Sequence, residues 1–415
     1  MNAPLTRLQT DAETGLERQF SALVAPEPWR QQAFVRFAGQ GLPNRRVEAW
    51  HFTDIRAAMA QALPLAAPAG DFPKAKLRGV GAEGTRLVFV NGSFAQAASD
   101  ALPAGVSIRK DQNAPAAHGD AMVTLNHAFA AQAWLVEIAP GTSLPAPLQL
   151  IFAQSGPASA TFSRVGVKLG AGAKATLGES YAGLESGHHI NSLLDIELGD
   201  KASLVHGCDG AGEDALCVLS LFVKLGEGAQ FTSFAMLDGR AMMRRQIFAD
   251  LAGENANIAL SGLMLGRGEA HLDTTLTIDH AKPHGTSREI FRSLLDEAAH
   301  GVYQGKVIVK PHAQKTDGKM MSKAILLHDG ARMDNKPELE IFADDVVCGH
   351  GATVGGLDAE QIFYLQARGI ARPEAEALLL EAFAAEVVEP VENDAFKRHF
   401  CDRLAHWLQA RGGQV

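Results

Sequence analysis

A parallel β-helix with helical ends is the fold this sequence predicts, and three observations predict it. The first is a repeat. Val167-Lys168-Leu169-Gly170-Ala171-Gly172-Ala173 recurs as Val223-Lys224-Leu225-Gly226-Glu227-Gly228-Ala229, with Ile196-Glu197-Leu198-Gly199-Asp200-Lys201-Ala202 between them. Looser copies start at Val136, Ala249 and Leu276. The third residue of each unit falls at 138, 169, 198, 225, 251 and 278, in steps of 31, 29, 27, 26 and 27. The second observation is the alternation of apolar and polar residues on both sides of each glycine turn, which reads as strand, turn, strand. Such a unit buries its apolar face only by stacking on copies of itself. The third is a change of character at both ends, where helical periodicity replaces alternation. A β-sandwich of hairpins fits less well, because its turns recur every ~8–12 residues without a near-identical unit.

The elements follow in order. Residues 1–75 read as a helical region broken by prolines. Gln31 to Gln40 carries Phe34, Val35 and Phe37 and forms a short helix. The segment from Gly41 to Asp54 forms an elbow around Trp50 and Phe52, with Arg46 and Glu48 as a local ion pair or a docking surface. Leu63 to Pro73, rich in alanine and proline, reads as a linker. Residues 76–355 form the coil. Residues 356–415 return to helix. Asp358 caps a first helix with Gln361 as its box partner, and Gly369 ends it. A second begins at Pro373. A third places Phe396, Phe400, Leu404 and Trp407 on one stripe.

Composition excludes several classes. The chain has 415 residues, 47% apolar and 20% charged, with a formal charge of −9. That sign disfavours a nucleic-acid partner. No run of about 18 apolar residues predicts a membrane span, and the N-terminus has no apolar core of a signal peptide. A cytoplasmic location follows as the expectation. Cys208, Cys217, Cys348 and Cys401 lack CxxC spacing and read as reduced thiols. Cys208 and Cys217 read as inert residues in a rung connection, and Cys401 as buried in the last helix. The turn at Gly170–Thr176 lacks the order of a phosphate loop, and no G-x-S-x-G is present. The chain therefore reads as non-catalytic.

The chemistry concentrates at Cys348 and His350. They are two apart on an extended segment and project from one face. A thiolate beside an imidazole is a ligand pair for iron, zinc or copper(I). Two ligands leave a tetrahedral site open, so the rest must come from elsewhere in the fold or from a second protein. Asp344 and Asp345 precede them but face opposite ways and read as turn residues. The histidines at 188, 189, 271, 280, 284, 300, 312 and 328 show no helical ligand spacing.

The string Leu339-Glu340-Ile341-Phe342-Ala343-Asp344-Asp345-Val346, followed by Cys348-Gly349-His350-Gly351-Ala352-Thr353-Val354-Gly355, then Phe363-Tyr364-Leu365 and Arg368-Gly369-Ile370, resembles the SufB/SufD family, on its SufD side. Ala313–Gly318 and Leu42-Pro43 through Trp50 belong to the same pattern. The resemblance implies a right-handed parallel β-helix and a scaffold subunit of the SUF system. Its partners would be a SufB-like paralogue and a SufC-like ABC ATPase, with a homodimer when alone. It implies that Cys348 and His350 lie at the subunit interface where clusters assemble, sharing metal with the partner. It also implies that the ATPase docks on the C-terminal region around Phe363, Tyr364, Leu365, Arg368 and Gly369. No tightly bound cofactor is expected alone; iron or an iron–sulfur cluster would be transient, and reduced flavin is associated with the complex. Gly349 stands where the family pattern has serine, and Met320-Met321-Ser322-Lys323 replaces a more polar stretch. The alternatives are a β-helix carbohydrate-active enzyme and a SufB-type paralogue.

Overall fold

The structure, a computed structural model, describes residues 8–67, 72–73, 76–81, 83–184 and 187–412. Residues 1–7 of the N-terminal region and 68–71 of the expected linker lie outside the described residues. Strands alternate between two sheets. One holds β1 (Thr85–Val90), β2 (Ser93–Phe94), β5 (Leu148–Ala153), β7 (Lys174–Ala182), β9 (Ser203–Glu213), β11 (Gln230–Gly239), β13 (Asn257–Gly266), β15 (Thr286–Leu295), β17 (Asp317–Leu326) and β19 (Val347–Gly355). The other holds β3 (Val106–Lys110), β4 (Ala133–Ile138), β6 (Ala160–Leu169), β8 (His189–Leu198), β10 (Leu216–Leu225), β12 (Met242–Leu251), β14 (His271–His280), β16 (His300–Val309) and β18 (Arg332–Ile341). Each strand from β6 to β17 pairs in parallel with the strands two before and two after it in the chain, which makes a β-solenoid. The fold is mainly β, as the repeat predicts.

The repeat is visible as stacking. Ile138, Leu169, Leu198, Leu225 and Leu251 lie one above another in register. The next position is His280, not the expected Ile278, which stacks on Ala249. The apolar pattern misplaces this unit because a buried histidine replaces the leucine at the column position.

The turns form a ladder of their own. Gly172, Lys201, Gly228, Asn255, His284 and Lys315 all adopt positive φ, between +56° and +69°. Each donates its backbone N–H to a carbonyl of the following turn, as Gly172 does to Asp200 at 2.8 Å and Lys201 to Glu227 at 2.7 Å. Only two of the six are glycine, so stacking bonds hold the others in a conformation that costs an L-residue about 1 kcal/mol. The following residue is a fully buried alanine at 173, 202, 229 and 256.

Side chains alternating inward fill the coil with one hydrocarbon core, including Leu177, Leu204, Phe231, Ile258 and Val307. Helices cover the outer faces. Near the first turns, α1 (Asp11–Ser21), α2 (Pro28–Gln40), the short α3 (Ile55–Ala58) and α4 (Ala121–Phe129) share a core with Leu216 and Val218 of β10. All nine residues of α4 are buried, so this helix has no polar face to signal it among the strands. Past the coil come α5 (Ala359–Gln366), α6 (Arg372–Val388) and α7 (Asp394–Gly412). Phe396, Phe400, Leu404 and Trp407 of α7 bury their stripe with Phe234, Met236 and Leu263 of the coil. No helix among the described residues is long and apolar enough to cross a membrane.

Candidate functional site

Cys348 and His350 lie on β19, the outermost strand of its sheet, which pairs only with β17. Cys348 stands in register with Gly318 and then Ser287; His350 stands in register with Met320 and then Glu289. Met320 is a core residue, so both columns face the interior of the coil. Among the described residues no further turn covers them. Cys348 is half-buried against the core and His350 is exposed. The pair therefore opens from the mouth of the coil, and the two residues share a face as their spacing predicts.

Burial raises the Cys348 thiol, with Asp317 and Glu289 adding to the rise and the Gly318 backbone opposing it. Among the described residues no group of three or more His, Cys, Asp or Glu side chains is placed to hold a metal ion. A Cβ at Gly349 would meet no atom within 4 Å, so the position has room for the serine of the family pattern. Asp345 pairs with Lys315 across a turn.

The mouth is apolar at its rim. Phe342 and Val347 are each 61% exposed, and Ile341 and Val354 are exposed beside them. On α5, Asp358 caps the helix by accepting from the Glu360 and Gln361 backbones. Phe363 and Tyr364 are 72% and 57% exposed, and Arg368 stacks on Tyr364 at 4.4 Å. Leu365 is half-buried, and Gly369 ends the turn at φ +87°. A cleft of about 430 Å³ separates β17 and β19 from α5 and α6, lined by Lys323, Thr353, Asp358, Phe383 and Glu386.

Three expectations need correction. Glu48 does not pair with Arg46: it reaches Lys336 on β18, because the elbow folds onto the outer face of the last turns. There the Arg244 guanidinium lies 3.8 Å from the Trp50 ring and donates to the Ala49 carbonyl at 2.7 Å. Cys401 is exposed, because it lies off the α7 stripe. Cys208 and Cys217 sit within β9 and β10, not in a connection. Both are fully buried, and burial pushes the Cys217 thiol up to about 12 and Cys208 well above its usual range.

Cys208 belongs to a polar cluster inside the coil that the sequence reading missed. Arg245 Nη1 donates to Cys208 Sγ at 2.9 Å and to Glu179 Oε2 at 3.2 Å. Tyr181 donates to Glu179 Oε1 at 2.6 Å, and His206 Nε2 lies 3.2 Å from Glu179 Oε2. Burial alone would raise the Glu179 carboxyl, but Arg245, His206 and Tyr181 outweigh it and hold it well below the usual range. A charged residue at an inward strand position was the available signal.

The family model described as "SUF system FeS cluster assembly, SufBD core domain" matches residues 152–383, more than half of the chain. This chain belongs to the SufBD family. It is 34% identical to the iron–sulfur cluster assembly protein SufD of Escherichia coli over 243 residues, 58% of this chain and 57% of the relative. An iron–sulfur cluster assembly SufBD family protein of Synechocystis is 29% identical over 229 residues, 53% and 51% of the two chains. SufD of Bacillus subtilis is 26% identical over 216 residues, 50% and 48%. The chain thus spans about half the length of the curated relatives it matches. The matched SufBD core starts at β5 and ends in α6, so the two mouth residues, β19 and α5 all fall inside it.

Proposed function

We propose that this SufBD family chain is a non-catalytic scaffold subunit for iron–sulfur cluster assembly. The observation that carries the reading is the open last turn: a half-buried thiol and an exposed imidazole on one inward face of an edge strand, ringed by exposed apolar side chains. Thiolate and imidazole are suitable donors for iron, and two donors leave its other positions for a partner. A paralogous SufB-like subunit would cover β18 and β19, burying Phe342 and Val347 and supplying further ligands. The iron or nascent cluster is the cargo of this interface. An incomplete ligand set keeps the cargo exchangeable.

The C-terminal helices offer the second surface. Phe363, Tyr364 and Arg368 project from α5 and would meet an ABC-type ATPase, whose closure would pull on α5 and α6 beside the mouth. The family match favours this reading over carbohydrate chemistry, and the two SufD relatives favour the SufD side over a SufB-type paralogue.

The test is complementation. In cells depending on this system, His350→Ala and Cys348→Ser should each lower the activity of an iron–sulfur reporter enzyme while the chain still co-purifies with both partners. Wild-type reporter activity in both variants ends the ligand reading. Phe363→Ala with Tyr364→Ala should lose the ATPase from the pull-down and keep the paralogue. A chain that elutes only with a copy of itself would point to a homodimer through the same edge.

A further inference from the structure

The elbow between Pro43 and Arg56 has no part in the scaffold role as described so far. Its ends are joined, since the Arg56 N–H donates to the Pro43 carbonyl at 3.0 Å. Between them the chain lies across the outer face of the sheet that ends in β18. Thr53 donates to Asp273 on β14 and lies 2.8 Å from His271 Nε2. The Ala49 carbonyl accepts from Gln304 on β16 at 3.3 Å as well as from Arg244 on β12. Glu48 reaches Lys336 on β18, the outermost strand of this sheet. The tip of the elbow is thus tied to the bare edge.

Every tip residue from Arg45 to Ala49 is exposed, yet the backbone there is fixed. Asn44 Oδ1 accepts from the Arg46 N–H at 2.9 Å, and the Asn44 carbonyl from the Val47 N–H at 2.9 Å. His51 Nδ1 lies 3.1 Å from the Arg45 carbonyl. Trp50 anchors the base: it is 1% exposed and donates to Asp120 Oδ2 at 2.8 Å. A rigid, exposed loop is the usual carrier of a binding contact. The cations on the nearby strands already have partners: Lys336 has Glu48, Lys306 has Glu340, and Arg332 has His300 and Asp334. Arg45 and Arg46 differ. Among the described residues neither guanidinium has an ion pair or a hydrogen bond. At 3.8 Å per residue the Cα atoms of Arg46 and Arg45 lie within ~8 and ~11 Å of that of Glu48.

We propose that Arg45 and Arg46 are a preset basic grip for an acidic segment of the paralogous subunit that covers β18. This rests on the subunit role proposed above. Two features select that occupant. The first is continuity: through Glu48 and Lys336 the tip belongs to the same edge that the paralogue covers. The second is charge. Two adjacent guanidiniums without a carboxylate of their own call for anions, and a formal charge of −9 disfavours nucleic acid, which leaves carboxylates on a protein. A guanidinium takes a carboxylate through two parallel N–H donors, so the grip also sets the angle at which the partner lands. Charges at such a rim act on encounter more than on residence.

The test compares three forms of the full chain for association with the purified paralogous subunit. Arg45→Glu with Arg46→Glu should slow association roughly five- to twenty-fold at about 50 mM salt, and the gap should close near about 0.5 M. Arg45→Lys with Arg46→Lys should stay within about two-fold of the wild type, because steering follows charge. Equal rates for the glutamate and wild-type forms at low salt overturn the grip. Slowing of the same size at both salts also overturns it, since that is lost shape and not lost charge. The lysine form then serves carbodiimide coupling, which joins amines to carboxylates in contact. Peptides joining position 45 or 46 to Asp or Glu of the paralogue are expected. Coupling only to the ATPase, to a second copy or within this chain, or no coupling at all, overturns the assignment. Neither guanidinium bonds to the rest of the fold, so the urea midpoints of the three forms should coincide and a lost rate is not a lost fold. If the wild type itself does not bind the paralogue, the subunit role fails; if it binds and the glutamate form binds as fast, the grip alone fails.

Discussion

Arg245 illustrates what one buried charge demands of its neighbours. Its side chain is 1% exposed and its carboxylate partner Glu179 3%. Removing one member leaves the other uncompensated in a hydrocarbon interior. Arg245→Ala should therefore cost about 3–5 kcal/mol, read as a lower urea midpoint. Arg245→Met combined with Glu179→Gln should recover most of that loss, since no lone charge remains. Glu289 has no such cation, and its stability effect has the opposite pH sense. Its carboxyl is raised from 4.5 to about 8 in the fold. Above the unfolded value the unfolded chain ionises and the folded one does not, so stability is lost as pH rises to about 8 and stays lost beyond. The gap in stability between Glu289→Gln and the wild type should widen across that window by on the order of 3–5 kcal/mol. Equal denaturation midpoints at both ends of the window would contradict a buried neutral acid.

Among the elements, α7 has the plainest energetics. Phe400 is fully buried, and its ring centroid lies 4.5 Å from that of Phe234 on β11. Phe400→Ala should cost about 3–5 kcal/mol and loosen α6 and α7 from the coil together. Hydrogen exchange in those two helices reports it. The stripe on α7 was readable because one face is apolar and the other is not. The strand columns were readable from Ile138 to Leu251 for the same reason, and the count broke where His280 takes the leucine's place. The helix α4 was invisible because every side is buried. Cys348 and His350 could be found because their alternation lies within one strand. Glu289 could not be tied to them. That link crosses two turns whose lengths differ, and only the register shows that Ser287, Gly318 and Cys348 share a column.

For the whole molecule, pH sets a bounded window of stability. Burial lowers His127 to about 3, and His271 and His280 each to about 4, from 6.5. The fold keeps these rings neutral, so stability present above the unfolded value is lost as pH falls toward those values. Glu289 erodes stability from the alkaline side. The melting temperature should peak near about pH 6–7 and fall on both flanks. His280→Leu should flatten the acid flank, since leucine occupies that column in the four turns before it.

The two ends of the coil are unlike. At the first, β2 and β3 run antiparallel to their neighbours and sit outermost in their sheets, closing the stack. At the other, β18 and β19 continue the parallel ladder to its final strand. Growth by edge addition therefore has a polarity. Once two such chains meet through their bare ends, each terminus of the joined rod is a closed one, and the union halts at a pair. A variant that stripped away β2 and β3 would lose that stop and should lengthen into fibres.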